Sequence, residues 1–467
     1  MIELQTTDIV YIYIGDTAYD EVYVGSDKVW PSSGPTPPPH DYSKEYLTTL
    51  AESNGTISFS GKSGKSVQYS TDSGATWSTA AQSKTVNVST GDRVLWKGEN
   101  GANCGYFYSS AYFSVLGNPM SLLSGDSFSG ETVLRNNAFT SLFVSCSALT
   151  SSENLYLGWD TLANYCYFNM FAGCSGMTTA PQLPATTVAD FCYNSMFSAC
   201  TSLTTAPQLP ATTLAKDCYE WMFYGCTSLT TAPQLPATTL ANYCYTNMFV
   251  GCTGLTTAPS ELPATTLADY CYQNMFYGCT SLTTAPQLPA TTLAKYCYYT
   301  MFQGCTSLTT APQLSATTLA HGCYAEMFMG CTGLTTAPQL PAATLTDFCY
   351  RAMFMGCTSL TTAPQLSATT LTQYCYAKMF QGCTSLTTAP QLLATILAES
   401  SYYYMFYGCT NLNSINCLAT DISAANCTSN WVNGVSGSGT FTKNPNMSSW
   451  TDGANGIPYN WTVVDAS

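Results

Sequence analysis

Charged side chains are scarce in this 467-residue chain, where Asp, Glu, Lys and Arg together make up 9% of the residues. An average soluble protein has roughly 25%. Only 13 Lys and Arg stand against 27 Asp and Glu, which gives a formal net charge of −14. Nothing in such a chain would neutralise phosphates, so we expect no binding to nucleic acid.

The sequence also lacks the residues of common catalytic and metal sites. Its two histidines, His40 and His321, are far apart, and no Cys-x-x-Cys pair occurs. Acids such as Asp190 and Asp269 are scattered singly, whereas glycoside hydrolysis needs two carboxylates about 5–10 Å apart. We therefore expect no enzyme, no cofactor and no metal ion.

Long apolar runs and an export signal are missing too. No stretch of 18 apolar residues occurs, so no membrane insertion is expected. The amino terminus reads Met1-Ile-Glu-Leu-Gln, with an early acid and no basic segment. This pattern predicts a chain that is made in a cytosol and does not leave by the standard route.

What the sequence has in abundance is one repeated unit with two columns of cysteine. The unit reads Gly-Cys-Thr-Ser-Leu-Thr-Thr-Ala-Pro-Gln-Leu-Pro-Ala-Thr-Thr-Leu-Ala-x-Tyr-Cys-Tyr-x-x-Met-Phe-x. The first cysteine column runs from Cys146 to Cys409, and eight of its ten spacings are 26 residues. The second runs from Cys166 to Cys375, and Ser401 takes its place in the last unit. Such regularity predicts units that stack as a solenoid.

Each unit is expected to hold a short strand and a helix. Pro233 limits the strand to about Leu229–Ala232, and Thr239 is a candidate N-cap for a helix ending near Gly251. At about 100° per residue, one helix side carries the nearly constant set Cys218, Tyr219, Met222, Phe223 and Cys226. We therefore expect these residues to be buried and the variable positions between them to face outward. The predicted fold class is α+β, with about ten units preceded by small all-β modules.

The cysteines are expected to be buried, reduced thiols that pack as small apolar side chains. Stacked units would place like cysteines about 5 Å apart, so ladder disulfides in an oxidising environment are the alternative.

The unit resembles the BspA-like leucine-rich repeats of gut and oral bacteria. Their pattern of Cys-x-x-Leu, Ile-Pro and an Ala-Phe-x-x-Cys helix corresponds to Cys226-Thr-Ser-Leu229, Leu235-Pro236 and Met248-Phe249-x-Gly251-Cys252. The unit here is longer, has Ala-Pro in the strand and has Met where the family usually has Ala. The resemblance covers over half the chain and implies a solenoid.

Five segments follow from the composition shifts: a β anchor module at 1–30, a Pro-rich linker at 31–43, a β-sandwich at 44–135, the repeats at 136–411 and a C-terminal cap at 412–467. Trp431, Trp450 and Trp461 are expected to help close the last unit. Residues 1–30, with Tyr13-Ile-Gly-Asp16 and Val29-Trp30, resemble the head of phage virion and tail-fibre proteins.

A binding face is predicted at the variable outward positions, because aromatics, Met and Arg anchor interfaces. The open alternative is that these positions bind nothing and vary by random substitution on an unconstrained surface. The candidates are Phe168, Trp221, Tyr224, Tyr277, Tyr299, Met329, Arg351, Met355, Lys378 and Tyr403.

The favoured function is a structural virion component, a head or tail fibre or decoration protein. It would join other virion proteins through 1–30, form a homo-oligomer and bind a host cell-surface glycan or protein through the repeats. It would be assembled in the bacterial cytoplasm and sit on the virion surface. The alternative is a BspA-like adhesin on the bacterial cell surface.

Overall fold

The computed structural model describes residues 12–14, 17–19, 23–24, 27–28, 40–62, 64–80 and 82–467. Within 1–30 it contains two short antiparallel pairs. The first joins β1 (Ile12–Ile14) to β2 (Thr17–Tyr19), and the second joins β3 (Tyr23–Val24) to β4 (Asp27–Lys28). Residues 31–39 of the linker predicted at 31–43, and the remainder of the predicted anchor module, lie outside the described residues.

Nine strands follow, with a 3₁₀ helix before them at Tyr42–Lys44. They are β5 (Leu47–Ala51), β6 (Gly55–Gly61), β7 (Val67–Ser70), β8 (Ser78–Ala80), β9 (Ser83–Val88), β10 (Arg93–Lys97), β11 (Gly105–Ser109), β12 (Phe113–Gly117) and β13 (Leu149–Leu155). Helix α1 (Ser121–Ser124) and a 3₁₀ helix at Gly125–Gly130 lie between the last two strands.

These strands form two sheets whose facing sides share an aromatic core. One sheet has the order β13-β12-β5-β10-β7-β8 and the other β11-β6-β9. Trp96 of the first sheet meets Phe107 of the second edge-on, with ring centroids 5.2 Å apart, and Phe59 packs against both. Four strands lie within two residues of those predicted at 56–60, 67–70, 85–89 and 93–97.

The predicted helix of each repeat is wrong. From 136 to 411 the structure contains no helix. Between Asp217 and Cys226 the backbone instead forms consecutive turns of four residues. Every second N–H donates within the repeat to the carbonyl three residues earlier, as Met222 does to Tyr219 (3.2 Å). The N–H groups between them donate to the next repeat, as Tyr219 does to Cys244 (3.0 Å).

This backbone needs a positive φ at every fourth residue. Asp217 has φ 53°, Trp221 has φ 58° and Gly225 has φ 67°, and the pattern recurs from repeat to repeat. Every residue of an α-helix has φ near −63°, so a residue with positive φ in each turn is incompatible with a helix. The spacing of buried residues is therefore four and not 3.6. This explains why Cys218, Met222 and Cys226 lie in one line without angular drift.

The residues predicted to be buried are buried, although they lie on one side of four-residue turns and not of a helix. Cys218, Met222, Phe223 and Cys226 are 0% exposed and Tyr219 is 1% exposed. Their equivalents form parallel columns through the repeats. Phenylalanine rings stack with centroids 5.5–5.8 Å apart from Phe143 to Phe406, as in the pair Phe223 and Phe249. The tyrosine column runs beside it, and Tyr219 stacks 5.6 Å from Tyr245.

The predicted strand of each repeat is reduced to single bridges. Thr231 pairs in parallel with Thr205 before it and Thr257 after it, and Thr239 pairs with Thr213 instead of capping a helix. The hydroxyl of Thr256 donates to the carbonyl of Thr230 in the preceding repeat (3.1 Å). Pro233 supplies no N–H, so a longer ladder cannot form.

The repeat backbone extends beyond both predicted ends. Phe139 N–H donates to Cys166 O (2.8 Å), and Phe107 N–H of β11 donates to Leu142 O (2.8 Å). At the other end Tyr402 N–H donates to Cys427 O (2.9 Å), so Cys427 continues the second cysteine column after Ser401. One cluster of buried apolar side chains accordingly runs from Leu47 to Trp461.

A parallel three-stranded sheet closes the chain, formed by β14 (Ser414–Cys417), β15 (Thr440–Lys443) and β16 (Thr462–Asp465). Trp431 is fully buried, with its ring 6.0 Å from Tyr402 and 5.6 Å from Trp450. Trp461 is also buried. The Trp431 indole thus covers the last rings of the two aromatic columns, since it contacts both Tyr402 and Phe406.

Candidate functional site

The four-residue period leaves four columns of side chains outside the buried Cys, Tyr, Met and Phe columns of each repeat. These columns are named here by their position relative to the second cysteine of the repeat. Around Cys218 the pre-cysteine column holds Asp217, the plus-two column Glu220, the plus-three column Trp221 and the plus-six column Tyr224.

All ten predicted binding residues fall on these outward columns, and none is fully buried. Tyr224 and Tyr277 are exposed, each at 40%, and the other eight are half-buried. The plus-two column holds Phe168, Tyr299, Arg351 and Tyr403; the plus-three column holds Trp221 and Lys378; the plus-six column holds Tyr224, Tyr277, Met329 and Met355.

Trp221 and Tyr224 form the first of three groups. Their rings meet edge-on with centroids 5.0 Å apart, and Trp221 Nε1–H donates to Glu220 Oε1 (3.1 Å). Glu220 also accepts from the Asn194 side-chain amide (2.8 Å) in the preceding repeat. Desolvation, followed by the charge of Asp217, raises the pKa of the Glu220 carboxyl. The group therefore combines an aromatic pair with an acid that gains a proton more easily than an exposed one.

Lys378 and Tyr403 form a second group near the end of the repeats. The Lys378 ammonium lies 6.0 Å from the centre of the Tyr403 ring, at the outer limit of a cation–π contact. Tyr403 in turn packs on Tyr404, with ring centroids 4.5 Å apart, and Tyr404 packs on Tyr407 at 5.1 Å. Tyr404 and Tyr407 were not among the predicted residues.

Tyr299 and Arg351 belong to a third group, joined by Glu326. Arg351 Nη1 forms an ion pair with Glu326 Oε1, and the Tyr299 hydroxyl lies 3.5 Å from Glu326 Oε2. The three residues come from three successive repeats. The acid side chain is only 14% exposed and the guanidinium side chain 33%. A partly buried pair of this kind holds its geometry better than a fully exposed pair.

The pre-cysteine column was missed by the sequence interpretation. It is aromatic in seven repeats, at Tyr165, Phe191, Tyr243, Tyr270, Tyr296, Phe348 and Tyr374. All seven rings are half-buried, and neighbours stack, as Tyr243 and Tyr270 do at 4.8 Å. The sequence signal for this column was the Tyr that precedes the second cysteine in the repeated unit. If buried residues are spaced four apart instead of 3.6, this Tyr lies outside, next to the plus-two column.

This aromatic column is interrupted at Asp217, Gly322 and Ser400, and at Gly322 the side chain is missing altogether. Gly322 stands between Tyr296 and Phe348, and a Cβ at Gly322 would overlap the Tyr296 ring. The plus-two position of the same repeat is also small, since Ala325 replaces Tyr299 of one neighbour and Arg351 of the other.

The two missing side chains open a cleft of about 300 Å³. Its pre-cysteine walls are Tyr270, Tyr296 and Phe348, and its plus-two walls are Gln273, Tyr299, Ala325 and Arg351. His321 supports the walls: its Nε2 lies 3.1 Å from the Tyr296 hydroxyl, and its ring lies 5.4 Å from that of Phe348.

The other predicted residues stay apart from this cleft. Phe168 contacts Tyr165 edge-on at 5.8 Å, near the first repeat. Tyr277, Met329 and Met355 lie on the plus-six column and do not line the cleft. The structure therefore divides the predicted face into separate groups instead of one continuous stripe.

A family model for the BspA type leucine-rich repeat region matches six copies in this chain, at residues 167–309, 272–387 and 323–428. Together these matches span more than half of the sequence. The chain belongs to the BspA type leucine-rich repeat family. No curated protein and no solved structure matches it. Residues 1–30 lie outside the matched ranges, so their resemblance to virion proteins stays a prediction.

The acids of the BspA type repeats have structural partners. Asp190, Asp269 and Asp347 lie two residues before their cysteines, and each accepts the backbone N–H of the equivalent residue in the next repeat (3.0–3.1 Å). Among the described residues no cluster of three His, Cys, Asp or Glu side chains could hold a metal ion. Over the same ranges no helix is long and apolar enough to cross a membrane.

All 23 cysteines are free and buried. In the first column the Sγ of each thiol from Cys174 to Cys409 donates to a phenylalanine carbonyl of the preceding repeat, as Cys226 does to Phe197 O (3.1 Å). Burial raises the pKa of these thiols, to about 12 for Cys252. The structure thus holds them as protonated apolar side chains, which are poor nucleophiles and poor metal ligands.

Proposed function

We propose that this protein is a surface adhesion protein that binds a surface glycan or protein through the outward columns of its repeats. The BspA type family match over residues 167–428 carries the proposal. The second support is the character of the outward columns, where aromatic side chains and one Arg–Glu pair are held in place by their neighbours. Ordered aromatic and Arg side chains bind partners with little loss of conformational entropy.

The proposal includes a continuous solenoid. The same N–H to carbonyl bond joins each repeat to the next, from Phe139 and Cys166 at the first to Tyr402 and Cys427 at the last. A chain bonded in this way would hold its outward residues at fixed separations. Fixed spacing would let several weak contacts act together on a surface that presents many copies of one ligand.

The family match favours an adhesin of the bacterial cell surface over a virion component. The virion hypothesis depends on residues 1–30, which no family model matches. The repeats would serve either location in the same way, so the binding experiment below addresses the shared part of both hypotheses.

Flow cytometry of the labelled protein on a panel of bacterial and epithelial cells tests the proposal. Replacing Trp221 and Tyr224 together by Ala should weaken binding, while the free energy of unfolding changes by no more than about 1 kcal/mol because both residues lie at the surface. Tyr106→Ala with Tyr108→Ala is the matched control. This pair lies on β11, outside the repeats, with exposures of 42% and 46% and ring centroids 6.2 Å apart. Unchanged binding of the first variant, or equal loss in the control, would count against the outward columns.

A further inference from the structure

The cleft at Gly322 is a built site that the proposed function does not yet assign. It exists because two outward side chains are missing from one repeat, while the repeats on either side keep theirs. Its floor is closed by Ala325, which is 1% exposed. A volume of about 300 Å³ lies at the lower end of the range typical of small-molecule sites. The cleft therefore fits one small ligand and not a peptide chain.

The walls favour a flat ligand with an apolar face. Tyr296 and Tyr299 meet edge-on with centroids 5.5 Å apart and form two sides of the cleft. The face of an aromatic ring carries partial negative charge and attracts the weakly positive hydrogens of C–H groups. A pyranose ring presents such C–H groups on its faces and hydroxyls around its rim.

The rim of the cleft supplies matching polar groups. Gln273 offers an amide that both donates and accepts, and Arg351 offers a guanidinium that donates. Glu326 is the acceptor of the Arg351 ion pair and lies beside the Tyr299 hydroxyl. Gln273 and Arg351 therefore provide hydrogen-bonding groups for the hydroxyls of one sugar ring, and Glu326 holds the Arg351 guanidinium in place.

The charges around the cleft favour a neutral ligand over a charged one. Arg351 is neutralised by Glu326, and the chain carries a net charge of −14, so an anionic ligand gains nothing here and is repelled at long range. A cation in the aromatic walls would find no free carboxylate, because none lines the cleft and Glu326 is already paired with Arg351. A neutral ligand has neither penalty.

We propose that this cleft binds one neutral hexopyranose ring, as a free sugar or as a terminal unit of a glycan. The inference deepens the proposed adhesion function and rests on it for its biological setting. The stacking walls are Tyr296, Tyr299 and Phe348, and the hydroxyl-binding groups are Gln273 and the Arg351–Glu326 pair.

Saturation-transfer difference NMR on the full chain tests this proposal. The probes are the methyl glycosides of glucose, galactose and mannose, and N-acetylglucosamine, with N-acetylneuraminic acid and choline as charged comparisons. At least one neutral sugar should receive saturation on its ring protons. Ala325→Tyr, which fills the cleft, should weaken that binding by about tenfold or more, since the occupied volume is lost to the ligand.

The matched control is Ala377→Tyr. Ala377 occupies the same plus-two column two repeats later, is also 1% exposed and does not line the cleft. This variant should bind the sugar as the parent chain does. Saturation of a charged comparison alone, no transfer to any neutral sugar, or transfer that survives Ala325→Tyr would overturn the proposal. Such a result would leave cell binding through Trp221 and Tyr224 as a separate question, so failure of the cleft is distinguishable from failure of the adhesion function.

Discussion

Raising the pH above about 8.5 should destabilise the repeats, because their buried thiols resist ionisation. Each complete repeat buries two thiols, and burial holds the thiol pKa far above its ordinary value, to about 12 in Cys252. In the unfolded chain the same thiols ionise near pH 8.5. Between these two values the unfolded state releases protons that the folded state keeps. Stability is therefore complete below about pH 8.5 and falls as the pH rises through this window.

The size of the loss follows from the number of thiols. At about pH 9.5 an unfolded thiol is mostly ionised, which costs the folded state between about 1 and 2 kcal/mol per buried cysteine, or about 3 kcal/mol per repeat. Stability of a repeat array is set by its repeats and their interfaces, so a loss of this size in every repeat is large. The buried tyrosines have an unfolded pKa near 10 and add mainly at higher pH.

Urea unfolding followed by circular dichroism at about pH 7.5 and about pH 9.5, with a phosphine reductant, measures this effect. Replacing Cys218 and Cys226 together by Ala should reduce the alkaline loss by about 3 kcal/mol. Leu229→Ala is the control: it also lies in this repeat at 0% exposure and does not titrate, so it should lower stability equally at both pH values. The reasoning fails if the urea midpoint is the same at both pH values, or if the folded protein gains thiolate absorbance in this window.

Three further predictions test the packing. Ala199 has φ 57° at the position that Gly225 occupies in the next repeat, so Ala199→Gly should stabilise the protein by up to about 1 kcal/mol in urea unfolding and Gly225→Ala should destabilise it by a similar amount. A loss of stability in Ala199→Gly would show that the Ala199 backbone is not strained. Cys226→Asp should cost several kcal/mol more than Cys226→Ala, because it buries an unpaired charge; similar midpoints for both variants would mean that the site admits water. Trp431→Ala should cost about 3–5 kcal/mol, against less than about 0.5 kcal/mol for the 69% exposed Tyr459→Ala; a small effect for Trp431 would remove its role as the cover of the aromatic columns.

Much of the packing could be predicted from the sequence, but the backbone could not. Constant Cys218, Tyr219, Met222 and Phe223 identified the buried side, because burial fixes residue types whatever the backbone. Two buried residues followed by two outward ones fit a period of 3.6 almost as well as a period of four over nine residues. Only the positive φ at Trp221 distinguishes the two periods. A Trp in the sequence does not indicate a positive φ, whereas a Gly does.

The candidate site also has a part that could be predicted from the sequence and a part that could not. The outward positions of Tyr299 and Arg351 followed from their variability, and both line the cleft. Tyr270, Tyr296 and Phe348 were missed because their near-constancy resembled that of buried residues. The cleft itself depends on what two columns lack at Gly322 and Ala325 in a single repeat. A consensus sequence of the repeats does not show a feature that occurs in only one of them.

The near-identical bonding between neighbouring repeats has a consequence for how this protein can vary. Every interface presents the same donors and acceptors to the next, so removal or duplication of one whole unit would recreate a junction that the chain already uses. Unequal recombination within such a gene could lengthen or shorten the molecule in uniform steps while both ends keep their original neighbours. Reach toward a distant target would then be adjustable independently of whatever the outer residues recognise.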